Sequence, residues 1–346
     1  MTVPVKPRRL KEGSVVAVIS PSLAGPYIFP KVYQHGVSVL RDELGLEVVE
    51  MEHTRRPNYL MRLNPHLRGQ DINDAFMDPG IDAIIATIGG DDSVRVLPHL
   101  RIQDIIERPK VLMGFSDTTT LLTYLAYKGM VTFYGPTVMA GISQIRHYPR
   151  SLEHLREMLF HPSAEHTYRP SPSYSEGYPD WSLDSSVGSI SRKKRAPRWK
   201  VLQGEGRAEG TLFGGCIEVM EVLKGTRFWP PHTFWKDKVL FMEATEQMTS
   251  LTRLKQIMRN YGTMEVFENI SALLFGRWRG YTSQQRREVE RIIVRTVTEE
   301  FGRSDLPIIM NMDFGHTDPQ MILPLGVRAE VDPTGPTLTL KESPLL

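Results

Sequence analysis

The sequence predicts an α/β protein: a mostly parallel sheet flanked by helices in the first half, and a smaller α+β unit in the second. Three observations carry this. Short apolar runs alternate with amphipathic stretches over the first ~160 residues, which is the pattern of strand–helix–strand units. A stretch without periodicity interrupts the chain between 163 and 205. Further apolar strand patterns follow it around a single long amphipathic helix.

Taken in order, SVVAVISPS (14–22) is a buried strand closed by a Ser/Pro turn. A helix is expected over 31–43 and a strand over 46–50. Helical periodicity returns at 68–77 and stops at Asp78-Pro79-Gly80. IDAIIATIGG (81–90) is a second buried strand whose Gly-Gly end opens the loop Asp91-Asp92-Ser93, with a helix from about Val94. VLMGFSDTTTLLTYLAYKG (111–129) passes from strand to helix at Ser116, and VTFYGP (131–136) is one more strand. Near-continuous apolar strands imply a sheet covered on both faces. In such sheets ligands bind beyond the carboxyl ends of the strands. Ser20, Gly89, Gly90 and Ser116 all fall at such ends.

The segment 163–205 is rich in Ser, Pro, Tyr and charge, and is too long for an ordinary connection. It reads as a linker and substrate flap, or as disordered. Domain limits follow: 1–162, with the flap at 163–205 and a second domain at 206–346. In that second domain EGTLFGGC (209–216), 239–244, 269–278 and 306–316 read as strands, and 283–301 as a helix.

Composition narrows the function. The chain has 346 residues, is 40% hydrophobic and 24% charged, and carries a formal net charge of +2. Those are values of a globular protein with no global electrostatic pull toward nucleic acid or membrane. The one cysteine, Cys216, excludes a disulfide framework and a Cys-rich metal site, and suits a reducing, cytoplasmic setting. No run approaches the ~20 apolar residues that span a bilayer. No phosphate-binding loop, dinucleotide fingerprint or zinc-protease motif is present, so no cofactor is expected. Asp91 and Asp92 are adjacent carboxylates without a third ligand, which does not make a metal site.

Ser116 carries the sharpest chemistry. A serine between strand and helix has two readings. Ser and Asp are the commonest helix caps. The same place is also where a nucleophile elbow lifts a hydroxyl above the sheet, although Thr118 stands where the G-x-S-x-G pattern has its second glycine. A nucleophilic serine needs a base and an acid that orients it. Of ten histidines, His35, His154, His161 and His166 read as surface or loop residues. His316 stands out, ending an apolar strand in a tight Gly315-Thr317-Asp318-Pro319 context. Glu243 ends another apolar strand, where a carboxylate is costly to bury unpaired. Glu246, three residues on, is the alternative acid.

The strings TIGGDDS (87–93), PKVLMGFSDTT (109–119), FYGP (133–136), EGTLFGGC (209–216), LFMEATE (240–246) and FGHTDPQMILPLG (314–326) occur in this order. Together they resemble the LD-carboxypeptidase family of serine peptidases, in its branch similar to the microcin C self-immunity protein. The resemblance implies Ser116 as nucleophile, Glu243 as acid and His316 as base. It also implies a Rossmann-like N-terminal domain, a small β-rich C-terminal domain and a homodimer. Backbone N–H groups of Asp117 and Gly90 are the expected oxyanion donors.

Two substrates are open within the family: a peptidyl or aminoacyl nucleotide conjugate, and the tetrapeptide of cytoplasmic murein. The Asp91-containing loop and the aromatic flap point to the first, with Trp181 or Trp199 stacking on a base. Arg192, Lys193, Lys194, Arg195, Arg198 and Lys200 are then candidates to face phosphate or sulfamate. A reading of another class is a nucleotide- or nucleic-acid-binding protein using that basic, Trp-bearing flap.

Overall fold

The computed structural model describes residues 3–346. Strands Val15–Ile19, Glu47–Glu50, Ala83–Ala86, Val111–Gly114 and Thr132–Tyr134 form a parallel sheet. In space the order is 47–50, 15–19, 83–86, 111–114, 132–134. Connections therefore reverse direction between 15–19 and 83–86, which opens a crevice beyond their carboxyl ends. The alternating apolar runs are buried on both faces: Val16, Ala17, Val18, Ala83, Ile84 and Leu112 are all inaccessible. This is the Rossmann-like, mostly parallel arrangement expected.

A sixth strand completes the sheet from far along the chain. Leu323–Leu325 pairs antiparallel with Thr132–Tyr134, so the second half of the sequence closes an edge of the first sheet. Covering that edge removes a row of open backbone groups.

The second sheet has eight strands, in the order 166–167, 337–340, 328–332, 208–216, 238–243, 272–276, 308–312, 200–203. Its centre, from 208–216 to 308–312, is parallel. Helix Leu251–Thr263 and helix Ser283–Val294 pack together; the second is started by a capping box between Thr282 and Gln285. It passes into a π-helical turn at Arg295–Glu300. Among the described residues no helix is long and apolar enough to cross a membrane.

The segment 163–205 is neither a bare flap nor disordered. Its short strands 166–167 and 200–203 sit at the two ends of the eight-stranded sheet. Ser173–Glu176 pairs with both Thr317–Asp318 and Lys194–Arg195. Periodicity could not reveal this, because strands of two to four residues at a sheet edge have too few buried positions to alternate.

Helix Thr119–Tyr127 also differs from expectation. Leu121, Leu122, Leu125 and Ala126 make a single apolar face by helical spacing, yet every residue from Thr119 to Ala126 is buried. The helix lies between the two sheets, and its threonines are satisfied locally: Thr123 Oγ1 donates to the Thr119 carbonyl at 2.6 Å, and Thr120 Oγ1 meets Ser93 Oγ at 2.7 Å. Strand 208–216 packs against it through Gly215, where a Cβ would fall 2.5 Å from Thr119 Cγ2.

Candidate active site

Ser116 follows the strand Val111–Gly114 with φ 58°, in the left-handed region that non-glycine residues avoid. Holding it there costs about 1–3 kcal/mol, so the surroundings must impose it. The cap position of the helical turn that follows is Phe115, with Ser116 its first residue. Ser116 Oγ faces His316 Nε2 at 3.0 Å. The capping reading of this serine therefore fails, and the elbow geometry holds.

His316 lies four residues beyond the strand Ile308–Met312, and its Nδ1 meets Glu243 Oε2 at 2.7 Å. Glu243 is the last residue of the strand Lys238–Glu243. Two glycines let these chains approach. A Cβ on Gly315, whose φ is 94°, would overlap Glu243 Oε2, and one on Gly276 would sit 3.0 Å from Glu243 Cβ. The other oxygen, Oε1, accepts from the Tyr134 hydroxyl at 2.5 Å, and that hydroxyl accepts from the Ser116 N–H at 3.4 Å. Tyr134 thus ties the acid to the serine backbone. Tyr134 lies in the FYGP string, and its signal in sequence is a tyrosine at a strand end.

Burial disfavours a charged His316, but the carboxylates of Glu243, Glu246 and Glu218 outweigh it and hold its pKa above the ordinary value. Glu246 Oε2 lies 3.2 Å from His316 Nε2, the nitrogen that faces the serine. Glu243 holds the opposite nitrogen, so it is Glu243 that has the position of an orienting acid. Asp318, two residues beyond His316, is buried and pushed up to about 6, by burial first and against hydrogen bonds from Tyr178 and Gln320.

Beside Ser116 the glycine pair divides its tasks. Gly89 presses on the serine: a Cβ there would fall 2.9 Å from Ser116 Oγ and 3.2 Å from the Asp117 nitrogen. Gly90, at φ 152°, packs on Ser22 and the Leu23 backbone. The Asp117 side chain turns inward and accepts from the Ser93 N–H at 2.8 Å, and burial raises its pKa. Its backbone N–H stays at the elbow. Ser20, placed in the same crevice from sequence, is taken up internally by the Thr54 carbonyl and Thr87 Oγ1.

The adjacent acids are both spoken for. Asp92 forms a buried pair with Arg68, which also donates to the Pro21 and Ser22 carbonyls. Asp91 is exposed, and Arg62 donates to both its carboxylate oxygens at 2.6 Å. The tryptophans separate. Trp199 is buried, and its indole N–H donates to Asp313 Oδ2 at 2.7 Å. It is a packing residue, and its ring is not offered to a ligand. Trp181 is half-buried against Phe29 and Tyr178, with ring centroids 5.7 and 5.1 Å away. Tyr178 bonds to Asp318, so Trp181 is linked to the loop that carries His316. In the basic run, Lys194 pairs with Glu176, Lys200 with Glu290, and Lys193 donates to the His147 carbonyl.

His154 and His166 are not the simple surface residues expected. With Glu157 they form a cluster lining a cavity of about 450 Å³ against Pro319 and Gln320. His154 Nε2 accepts the Ile322 N–H at 3.0 Å, and burial, aided by His166, lowers its pKa. That nitrogen's lone pair is therefore committed to the backbone. Ser116, Glu243 and His316 do not line this cavity.

Comparison with known proteins gives a family and a fold. Family profiles described as the LD-carboxypeptidase N-terminal and C-terminal domains match residues 16–135 and 209–331. The microcin C7 self-immunity protein MccF of Escherichia coli is 26% identical, over 96% of this chain and 94% of that protein. A Streptomyces coelicolor protein bearing a carboxypeptidase name is 30% identical, over 97% of this chain and 96% of its own length. Among solved structures, an MccF-like protein from Streptococcus pneumoniae in complex with AMP superposes with a TM-score of 0.84 at 26% identity, covering 95% of this chain and 98% of that one. MccF bound to glutamyl sulfamoyl guanosine gives 0.85 at 23% identity over 99% of this chain and all of that one, a likeness of fold.

Proposed function

The chain belongs to the LD-carboxypeptidase family of serine peptidases, in its MccF-like branch, and from that premise we propose a hydrolase that cleaves the amide joining a peptidyl or aminoacyl group to a modified nucleotide. The observation that carries the reading is one line of contacts: a left-handed Ser116 whose Oγ is 3.0 Å from His316 Nε2, with Glu243 2.7 Å from Nδ1.

In this mechanism His316 takes the Ser116 proton on Nε2 as Oγ bonds to the carbonyl carbon. Glu243 keeps the proton of neutral His316 on Nδ1 and balances the imidazolium. The oxyanion is met by the backbone N–H groups of Asp117 and Gly90; loss of one such donor costs about 3–4 kcal/mol of barrier lowering. Collapse breaks the C–N bond, with the Nε2 proton passing to the leaving nitrogen. Water, deprotonated by His316, then releases the acyl group from Ser116.

The choice of a nucleotide conjugate rests on the MccF and MccF-like relatives, whose structures hold aminoacyl sulfamoyl nucleosides and AMP. Trp181, linked through Tyr178 to the loop that carries His316, is our candidate for the aromatic residue that stacks on the base. The murein tetrapeptide remains the second substrate reading, since the same family includes carboxypeptidases. The test offers purified protein aspartyl sulfamoyl adenosine and a murein tetrapeptide in parallel, scoring products by mass spectrometry. The conjugate is expected to be cleaved, and cleavage to vanish in Ser116→Ala. Turnover that persists in that variant would refute a serine nucleophile.

A further inference from the structure

A carboxylate outside the Ser116–His316–Glu243 line stands at the mouth of the site. Glu246 Oε2 is 3.2 Å from His316 Nε2, and its side chain is 49% exposed where His316 is 6% and Glu243 0%. The loop that carries it is pinned. Glu218 accepts from the Thr245 N–H at 3.2 Å and from the Thr249 hydroxyl, and the Tyr281 hydroxyl donates to the Thr249 carbonyl at 2.5 Å. Met248 turns that loop with φ 55°. Glu218 and Glu243 spend their oxygens inside the protein, on neutral donors and on His316. Glu246 faces the substrate's side.

This arrangement is poorly suited to a base acting alone. To accept the serine proton the imidazole must be neutral, and a second carboxylate on Nε2 then has no cation to answer it. Such a carboxylate holds the proton on Nε2 and competes with Ser116 for that nitrogen. A positive charge brought by the substrate resolves the conflict. The geometry limits where that charge sits. Glu246 lies within two hydrogen-bond lengths of the attacking oxygen through Nε2, and the amino nitrogen of an aminoacyl group is two bonds from the carbon under attack.

We propose, resting on the hydrolase reading above, that Glu246 binds the free α-ammonium of the acyl residue, which makes aminoacyl rather than peptidyl conjugates the substrates. An N-acylated residue presents a neutral amide at that place and leaves the carboxylate desolvated without a counter-charge. Binding of the ammonium also draws Glu246 off Nε2 and releases His316 to act on Ser116. The charged groups facing His316 are Glu243 on Nδ1, Glu246 on Nε2, and Glu218 and Asp318 at longer range, with Arg279 acting on Asp318.

The experiment compares alanyl and N-acetylalanyl sulfamoyl adenosine, which differ only at that nitrogen, on wild type and Glu246→Gln. Wild type is expected to favour the free amine in kcat/KM by roughly tenfold or more, and Glu246→Gln to bring the ratio toward one. For the free-amine substrate alone, kcat/KM should fall above about pH 8 as the amine loses its proton. The acid limb should move to lower pH in Glu246→Gln. Equal or better use of the acetylated substrate, or a ratio unmoved in Glu246→Gln, overturns the proposal. If the acetylated compound is cleaved as well as the free amine and that cleavage dies in Ser116→Ala, the hydrolase reading survives and this inference alone fails. Calorimetric binding of both compounds to Ser116→Ala protein gives a second readout independent of turnover: equal affinities overturn the proposal.

Discussion

At the scale of the residue, the pairing of His316 with carboxylates on both nitrogens fixes the pH behaviour. A pKa held above the ordinary value means the imidazole stays protonated, and inactive as a base, at pH values where a free histidine is already neutral. Activity should therefore fall on acidification with a midpoint above about 6.5, read from kcat/KM against pH. The stability effect runs the other way. The ion pairs of His316⁺ stabilise the fold fully below the unfolded pKa, and that contribution is lost as pH rises through the folded one. Tyr134→Phe removes one donor from Glu243 Oε1 and should lower kcat by roughly 10–100-fold, the worth of a hydrogen bond to a charged group, with the fold intact by circular dichroism. Gly89→Ala places a methyl group 2.9 Å from Ser116 Oγ. Turnover should fall sharply while the melting temperature moves little, because Gly89 is not in the left-handed region and the clash is local.

At the scale of the element, residues 163–205 show what a sequence pattern misses. Composition marks the segment as unusual. Its Ser, Pro and charge content hid the fact that four short strands tie it to two sheets. Within it the two tryptophans were indistinguishable by sequence, since burial is set by neighbours distant in the chain. Trp199→Phe keeps an aromatic ring, smaller than the indole, and removes the donor to Asp313, which Arg277 also contacts. It should cost about 1–3 kcal/mol of unfolding free energy in urea titrations, the penalty for an unsatisfied buried acceptor. Trp181→Ala, at the surface side of the same segment, should act mainly on KM for the nucleotide conjugate, by the ~1–3 kcal/mol of a stacking contact.

At the scale of the whole molecule, the two halves of the chain are not independent. Strand Leu323–Leu325 completes the first sheet, helix Thr119–Tyr127 is buried between both sheets, and Ser116 receives its partners from strands more than a hundred residues away. A fragment of residues 1–162 would expose the edge of Thr132–Tyr134 and the apolar surface that Leu323 and Leu325 cover. Expressed alone it should aggregate, whereas the full chain should unfold in one transition by calorimetry. A soluble, monomeric fragment with native helicity would contradict this.

The local sequence by itself determined the five parallel strands of the first half, because residues buried on both faces of a parallel sheet must be apolar in continuous runs. It also marked Ser116, Glu243 and His316, since each is a polar residue at the end of an apolar strand. It did not distinguish cap from elbow at Ser116, or Glu243 from Glu246 as the partner of His316. In the folded chain Ser116 Oγ faces His316 Nε2, Glu243 sits on Nδ1 and Glu246 on Nε2. A hydroxyl 3.0 Å from an imidazole nitrogen, and a carboxylate on one side of that ring or the other, are distances between strands that meet only after the chain has folded. The same holds for Gly89, Tyr134 and the edge strand at Leu323. Their roles are contacts across space, and contacts of that kind leave no period in a linear sequence.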